Sequence, residues 1–171
     1  MCGRFVLTAS SEAIQQTFNL DDIPNSMLPR YNIAPTQPVG VITNDHPRQL
    51  TFQRWGLIPS WSKDPAIGST LINARSETVE EKPAFRTAFK RRRCLIPADG
   101  FYEWEKRGKD KAPIFIHLKE RELFAFAGLW EVWHSPDGSE VQTCTILTTE
   151  PNAMMSQFHH RMAVILPRED Y

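Results

Sequence analysis

The sequence has few cysteines and no long apolar run. Its three cysteines, Cys2, Cys94 and Cys144, are an odd number and include no Cys-x-x-Cys pair. Neither a disulfide framework nor a zinc site is therefore indicated, and free thiols point to a reducing compartment. No stretch approaches the roughly 18 consecutive apolar residues of a membrane span, and the N-terminus lacks the basic start and apolar run of a signal peptide. These absences predict a cytoplasmic protein with no membrane partner and no metal site.

The sequence also lacks net charge, internal repeats and low-complexity tracts. Twenty Lys and Arg residues balance twenty Asp and Glu residues, which excludes a histone-like protein that binds nucleic acid through its global charge. Any DNA-binding surface must then be a local patch. The length of 171 residues, of which 41% are hydrophobic, fits one domain with a buried core.

The pattern of apolar residues predicts short elements, because thirteen prolines interrupt the chain. Short helices are expected near residues 11–18, 83–89 and 152–158. Strands are expected at residues 39–43, 49–54, 114–118 and 123–130, with turns at residues 44–47 and 135–138. Strands outnumber helices and do not alternate with them. This favours an α+β fold with a curled, largely antiparallel sheet or barrel-like core and short surrounding helices.

The start of the chain, Met1-Cys2-Gly3-Arg4-Phe5, carries an unusual chemical possibility. Removal of Met1 would expose the α-amine of Cys2, which titrates near pH 8, beside a thiol that titrates near 8.5. Such a 1,2-aminothiol condenses with an aldehyde to a Schiff base, and the thiol then closes a thiazolidine ring. A retained Met1 would turn this amine into an amide and block the reaction. The alternative is a cysteine that merely follows the start codon.

Three further segments place polar side chains next to apolar ones. Residues 71–77 run from an apolar pair into a polar cluster, as at a strand end that faces a cleft. In residues 97–104, aromatic neighbours would desolvate Glu103 and fit it for general acid catalysis, although an exposed strand carboxylate is the alternative. In residues 158–162, a histidine could act as a base and Arg161 could clamp a phosphate, unless both histidines are simply solvated.

These segments also carry a resemblance to a known family. The motifs are Met1-Cys2-Gly3-Arg4-Phe5, Arg30-Tyr31-Asn32-Ile33-Ala34-Pro35, Arg54-Trp55-Gly56-Leu57-Ile58-Pro59-Ser60-Trp61, Ile72-Asn73-Ala74-Arg75-Ser76-Glu77 and Pro97-Ala98-Asp99-Gly100-Phe101-Tyr102-Glu103-Trp104. In this order they resemble the SRAP family of SOS-response-associated peptidase-like or abasic-site processing proteins, from residue 1 to the end of the chain. The resemblance implies one SRAP domain over residues 1–171. It also implies a sensor that binds single-stranded DNA and traps abasic sites as a thiazolidine crosslink.

The resemblance implies a role for each matching position. Cys2 matches the crosslinking cysteine, Asn73 the asparagine that positions the reacting sugar and amine, and Glu103 the glutamate that moves protons. His159 rather than His160 matches the active histidine, because the family pattern reads His-x-Arg-Met-Pro. The positions that match DNA-contacting residues are Arg4, Arg75 and Arg161 for phosphates, Trp61 for base stacking and, more weakly, Trp104. No cofactor or metal is implied, and the expected form is a monomer that joins the nucleoid when it is bound to damaged DNA.

Two departures from the family pattern are visible. Ala163 stands where the family usually has proline, and this change is expected to loosen a turn without affecting the chemistry. Family members also usually continue beyond the position of Tyr171, so the domain is expected to lack the family's C-terminal segment.

Several alternatives stay open at this point. Cys2 could instead be the nucleophile of a cysteine peptidase or an autoprocessing amidohydrolase, with His159 as base and Asn73 as oxyanion donor. The protein could also be a noncovalent single-stranded DNA-binding module. The basic residues between 86 and 93 fit a DNA backbone contact or a solvated helix end equally well. Cys94 and Cys144 are expected in the core.

Overall fold

The computed structural model describes residues 2–171, so Met1 lies outside the described residues. The described chain forms twelve strands and two α-helices. The strands are β1 (Arg4–Leu7), β2 (Arg30–Ile33), β3 (Pro38–Thr43), β4 (Leu50–Trp55), β5 (Asn73–Arg75), β6 (Arg93–Ala98), β7 (Gly100–Arg107), β8 (Asp110–Ile116), β9 (Phe124–His134), β10 (Glu140–Thr149), β11 (Met162–Ala163) and β12 (Ile165–Leu166), and the helices are α1 (Ser11–Phe18) and α2 (Arg86–Arg91). No helix within residues 2–171 is long and apolar enough to cross a membrane.

Five strands close into a barrel in the order β10-β4-β3-β6-β9, and the long β9–β10 hairpin completes the ring. Most pairings are antiparallel, whereas β10 runs parallel to β4 and β5. The barrel forms because β9 is almost continuously apolar, so both of its faces can be buried. The predicted α+β class, with a largely antiparallel sheet and a barrel-like core, is confirmed.

A second, four-stranded sheet in the order β2-β1-β7-β8 packs against the barrel. Phe5 on β1 contacts Trp55 with the ring centroids 5.2 Å apart, and Phe101 on β7 contacts Phe126 at 5.8 Å. Side chains alternate between the two faces of a strand, so Glu103 lies on the same inward face as Phe101. The packing of this sheet therefore carries a carboxyl group into the interior.

The helices are short, as predicted. The Ser10 hydroxyl accepts a hydrogen bond from the Ala13 N–H at 3.2 Å, and Ile14 and Phe18 are buried. The helix predicted near residues 83–89 is α2, which begins slightly later. The third predicted helix, at residues 152–158, is wrong in extent, because only a single 3-10 turn forms at Met155–Gln157. The Asn152 side chain caps this turn at the Met155 N–H, and the chain then returns to the sheet at β11.

Gly56 lets the chain leave the barrel after β4. Its φ is 127°, and a Cβ atom at this position would lie 2.4 Å from the Gly68 carbonyl oxygen. Only glycine fits such a close approach of two backbone segments. The segment that follows carries the exposed Trp61.

Candidate functional site

Cys2 is fully buried and lies two residues before the start of β1. The Asn73 side chain donates from Nδ2 to the Cys2 carbonyl oxygen at 3.0 Å, across 71 residues of sequence. Asn73 begins β5, whose parallel pairing with β10 fixes its position. Burial raises the pKa of the Cys2 thiol to about 12, and the Glu103 carboxylate adds to this shift. The thiol is therefore protonated at neutral pH.

Glu103 lies on β7 and only 2% of its surface is exposed. The exposed strand carboxylate considered from the sequence is therefore excluded. The charge of Glu103 favours a higher pKa at both the Cys2 thiol and the His159 ring. Such electrostatic effects fall off with distance, so the three groups lie close together. The inward face of β7 thus brings an acid to the thiol.

His159 is partly buried, and its ring stacks on that of the exposed His160 with the centroids 4.4 Å apart. Burial is the main cause that lowers the pKa of His159 below its ordinary value. The main-chain N–H of Arg161 donates to Nδ1 of His159 at 3.0 Å. The neutral ring therefore carries its proton on Nε2.

A cleft of about 580 Å³ opens beside these groups. We call it the His159 cleft, and its walls are formed by Glu103, Trp104, Lys106, Lys111 and residues 156–160. Trp104 is 36% exposed. Sequence reasoning missed Lys106 and Lys111, which pair directly across β7 and β8. A hairpin register drawn through Gly108 would have been the signal that places them together.

A second cleft, of about 400 Å³, lies on the Asn73 side. We call it the Trp61 cleft, and its walls are formed by Trp61, Leu71, Asn73, Arg75, Thr78 and residues 82–85. Trp61 is 60% exposed, and its Nε1 donates to the Pro83 carbonyl oxygen at 3.5 Å. Arg75 is exposed at the end of β5. Lys82 is a further cation in this wall that sequence reasoning missed.

Cys2 interacts with one residue of each cleft. The side chain of Asn73, which lines the Trp61 cleft, donates to the Cys2 carbonyl oxygen, and the carboxylate of Glu103, which lines the His159 cleft, raises the pKa of the Cys2 thiol. Arg4 follows two residues later on β1, where its Nη1 donates to Asn32 Oδ1 at 2.9 Å. The Cys2 thiol, the Asn73 amide, the Glu103 carboxyl and the His159 imidazole therefore lie at one candidate site, next to two clefts that carry exposed aromatic and basic groups.

Arg161 is placed differently from the other predicted arginines. Only 7% of its surface is exposed, and its guanidinium donates to both carboxylate oxygens of Glu77 at 2.9 and 2.8 Å. Arg4 and Arg75, by contrast, are accessible to solvent.

Comparison with known proteins shows the family. The sequence profile described as SOS response associated peptidase (SRAP) matches residues 1–171. The chain belongs to the SRAP family.

Curated relatives of this SRAP chain are named abasic site processing proteins. YoqW of Bacillus subtilis (strain 168) is 49% identical over 174 residues, which cover 99% of this chain and 78% of YoqW. YoaM of the same organism is also 49% identical, over 99% of this chain and 76% of its own length. HMCES of Xenopus tropicalis is 28% identical over 99% of this chain and 64% of its own length.

Solved structures share the SRAP fold. A crystal structure of a protein from Bacteroides thetaiotaomicron superposes with a TM-score of 0.89 at 28% identity, over 99% of this chain and 78% of that one. A protein from Bordetella bronchiseptica has the same fold, with a TM-score of 0.85 at 24% identity, over 99% of this chain and 86% of that one.

The predicted turn at Ala163 of the SRAP chain is not found in the structure. Ala163, expected in a turn, instead lies in β11 opposite Thr148 of β10, so its substitution for proline falls within a strand pairing.

For the basic residues between 86 and 93, the observed contacts favour a helix end over a DNA backbone contact. Arg92 pairs with Glu131 at 2.7 Å, and Arg93 donates to the Phe89 carbonyl at the end of α2.

Cys94 and Cys144 lie in the core as predicted. Both are buried, and burial is the main cause that raises the pKa of each thiol. Neither thiol lines the His159 cleft or the Trp61 cleft.

Proposed function

We propose that this protein binds single-stranded DNA that contains an abasic site and captures the sugar aldehyde on Cys2 as a thiazolidine crosslink. The role that the names of the relatives describe, abasic site processing, supports this proposal. The crosslink would shield the lesion from strand cleavage. A protein with this role acts in the cytoplasm, at the nucleoid when damaged DNA is bound, and we expect it to act as a monomer without a cofactor.

The observation that carries the proposal is the Asn73 hydrogen bond to the Cys2 carbonyl, together with the Glu103 carboxylate close enough to raise the pKa of the Cys2 thiol. After Met1 is removed, the hydrogen bond holds the Cys2 backbone while the α-amine attacks the aldehyde. The Glu103 carboxylate takes up the proton that the Cys2 ammonium must lose before attack, and it donates this proton to the sugar ring oxygen as the ring opens. Loss of one water gives the imine. The thiol then adds to the imine carbon, and its proton passes to the nitrogen, which closes the ring.

The protonation state of the thiol favours this order of steps over a peptidase mechanism. A cysteine peptidase needs a thiolate, and its active-site environment lowers the thiol pKa. Here burial raises the pKa of Cys2 to about 12. The free ammonium of a processed Cys2 would reduce this shift, but the burial would remain. An amine attacks an aldehyde first without any thiolate, so aldehyde capture suits this environment better than peptide cleavage.

The two clefts supply the DNA contacts. Trp61 and Trp104 offer exposed rings for base stacking, and such stacking tolerates any base. Arg75 and Lys82 line the Trp61 cleft, and Lys106 and Lys111 line the His159 cleft. These local cations attract a phosphate backbone although the chain has no net charge. A single strand that crosses both clefts would place one sugar at Cys2.

The experiment that tests this function compares Cys2→Ala with the processed wild-type protein on an abasic single-stranded oligonucleotide. Wild type is expected to form a heat-stable adduct without reductant. Cys2→Ala keeps an α-amine, so it is expected to yield an adduct only when borohydride traps the Schiff base. Cys2→Ser should behave in the same way. Cys94→Ala, which removes a thiol outside the site, serves as the control and should crosslink normally.

The same experiment separates the alternatives. A heat-stable adduct of Cys2→Ala without reductant contradicts the thiazolidine. A noncovalent module predicts no adduct for any variant and equal affinity for abasic and intact DNA. A peptidase predicts cleavage of peptide substrates that disappears in Cys2→Ala.

A further inference from the structure

The four-stranded sheet packs one face against the barrel and turns its other face outward. On the outward face, Arg4 of β1 lies opposite Tyr102 of β7, and Tyr102 lies opposite Phe115 of β8. Residues directly opposite each other in a sheet point to the same face, and the alternate residues Phe5 and Phe101 point into the core. One cation and two aromatic rings therefore form a row across three strands.

The Phe115 ring is held in place on this face. It packs against Gly100, where a Cβ atom would lie 2.3 Å from two atoms of the ring, so only glycine leaves room for it. The rings of Tyr102 and His117 flank it, with centroids 5.3 and 5.5 Å from that of Phe115. Phe115 is nevertheless 39% exposed. A ring that is fixed and still open to solvent is preorganised to stack on a ligand.

A pair of lysines lies further along the same face. Lys106 of β7 is directly opposite Lys111 of β8, and both are exposed. Like charges directly opposite each other destabilise a sheet, so this pair indicates an anionic ligand. None of the outward positions of Gly100–Arg107 and Asp110–Ile116 is acidic. The acidic residues of this hairpin all occupy the alternate positions, and they are Glu103, Glu105 and Asp110.

We propose that this outward face is a stacking platform for the unpaired bases that flank an abasic site. We call it the outer platform, and its members are Arg4, Tyr102, Trp104, Lys106, Lys111 and Phe115. Aromatic rings on such a surface stack on any base, and basic groups beside them hold the phosphates. The inference rests on the proposed function, because Trp104, Lys106 and Lys111 also line the His159 cleft and so join the platform to the site.

The mixture of groups on the outer platform fits a single strand. Bases and phosphates alternate along a nucleic-acid strand, and rings and cations are likewise mixed on this face. A duplex covers the faces of its bases, so it would use the lysines and leave the rings without a partner. An acidic protein surface would also use only the lysines. The exposed rings therefore decide in favour of unpaired bases.

The first test measures affinity for intact single-stranded oligonucleotides of increasing length. Phe115→Leu keeps an apolar side chain but loses the aromatic face, so affinity for the longer strands should fall by about fivefold to a hundredfold, the range for one stacked base. Strands too short to reach the platform should bind as they do to wild type. Phe115→Tyr keeps the ring and should retain the affinity. Phe52→Leu, which removes a similarly exposed ring from β4 of the barrel, is the control. Equal affinities of Phe115→Leu and Phe115→Tyr at every length overturn the proposal.

The second test separates the cations from the rings by varying salt. Each phosphate contact adds about one to the slope of log affinity against log salt, so Lys106→Gln and Lys111→Gln should each lower this slope by about one. Phe115→Leu carries the same charge as wild type and should keep the slope. Arg48→Gln is the matched control, because Arg48 is exposed, pairs with Asp21 and lines neither cleft. A wild-type slope in both lysine variants overturns the platform.

The third test maps the contacts with 5-iodouracil placed at successive positions of an intact single strand. Irradiation is expected to join the base to Tyr102 or Phe115 at positions on one side of the strand's centre, and the Phe115 photoadduct should disappear in Phe115→Leu. Photoadducts confined to Trp61 and Trp104 at every position overturn the platform. The strand contains no abasic site, so this result is independent of Cys2. A wild type that gives the platform photoadducts but no adduct with abasic DNA contradicts the proposed function alone.

Discussion

Cys2 interacts with one residue of each cleft, Glu103 of the His159 cleft and Asn73 of the Trp61 cleft, yet the walls of the two clefts are built from different kinds of side chain. The His159 cleft contains the buried Glu103 carboxyl and the partly buried His159 imidazole. The Trp61 cleft contains an indole that is 60% exposed and the exposed Arg75. Buried titratable groups suit proton transfer, and exposed rings and cations suit binding to a single strand. Under the proposed function, we therefore expect the His159 cleft to control the rate and the Trp61 cleft to control the affinity for DNA.

Arg75 and Arg161 also differ in exposure, as the side chains of the two clefts do. Both match positions that the SRAP resemblance assigns to phosphate contacts, but the fold exposes Arg75 and buries Arg161 against Glu77. Residue type alone therefore does not separate an exposed arginine from one that is buried in an ion pair.

Among variants in the His159 cleft, Glu103→Gln is expected to have the largest effect on the rate of crosslink formation. The variant keeps the shape of the side chain but loses its exchangeable proton. Crosslink formation should slow by roughly 10² to 10⁴, while the reaction still reaches completion. The affinity for intact single-stranded DNA should not change. Glu105→Gln, two residues further along β7 in a partly exposed pair with Arg107, is the control for time courses at saturating DNA. An equal loss in both variants would remove Glu103 from its proposed role.

A smaller effect in the same cleft is expected from His159→Ala. Crosslink formation should slow less than in Glu103→Gln, and release of the aldehyde from the finished adduct should slow more. Release is measured by a chase with excess competing abasic DNA. His160→Ala should stay near wild type, because His160 is exposed. A defect in His160→Ala beside an intact His159→Ala would show that the wrong imidazole was assigned.

In the Trp61 cleft, Trp61→Ala should weaken binding of single-stranded DNA and leave the rate at saturation unchanged. Loss of one stacked base is worth roughly 1 to 3 kcal/mol. Trp104→Ala should weaken binding less, because Trp104 is less exposed. Arg4→Gln should lower the salt slope by about one. Fluorescence titration over a range of salt concentrations measures these effects. A Trp61→Ala variant with normal affinity and a slow saturated rate would break the division between the clefts.

The smallest expected effect concerns acid stability at the ion pair of Glu77 and Arg161. The hydrogen bond with Arg161 lowers the pKa of Glu77 from its ordinary value of 4.5 to about 2. A carboxyl group whose pKa is lower in the folded state stabilises the fold above the unfolded pKa, and this contribution is lost as the pH falls towards the folded pKa. Stability from Glu77 should therefore be complete above about pH 4.5 and decline towards pH 2. Glu77→Gln should flatten the pH dependence of the free energy of unfolding in that window. An unchanged profile would contradict the ion pair.

The sequence was most informative where local patterns decide the structure. The helix α1 and the β3–β4 and β9–β10 hairpins follow from caps, apolar spacing and turn residues close in sequence. Closure of the barrel does not, because β10 pairs in parallel with β4 and β5 from distant parts of the chain. The 3-10 turn at Met155–Gln157 was overestimated as a helix over residues 152–158.

The same limit applies to the site. Cys2, Asn73 and Glu103 were selected from their chemistry and from the SRAP motifs, and the structure brings them together. The burial of Arg161 could not be predicted, because its partner Glu77 lies 84 positions away in the sequence. The polar residues around Glu77 also give no sign that its carboxylate forms an ion pair. Lys106 and Lys111 were missed for a related reason, since they meet only through the register of a hairpin.

The most direct test of the central claim is intact mass spectrometry of the processed protein after incubation with an abasic single-stranded oligonucleotide. The spectrum of the free protein first establishes that Met1 is absent. The account predicts an adduct whose mass is the sum of both reactants less one water, and which gains no hydrogen on treatment with borohydride, because the thiazolidine has no imine left to reduce. An adduct that takes up two hydrogens would show that the reaction stops at the Schiff base. The absence of any adduct from the protein without Met1 would contradict covalent capture by Cys2 altogether.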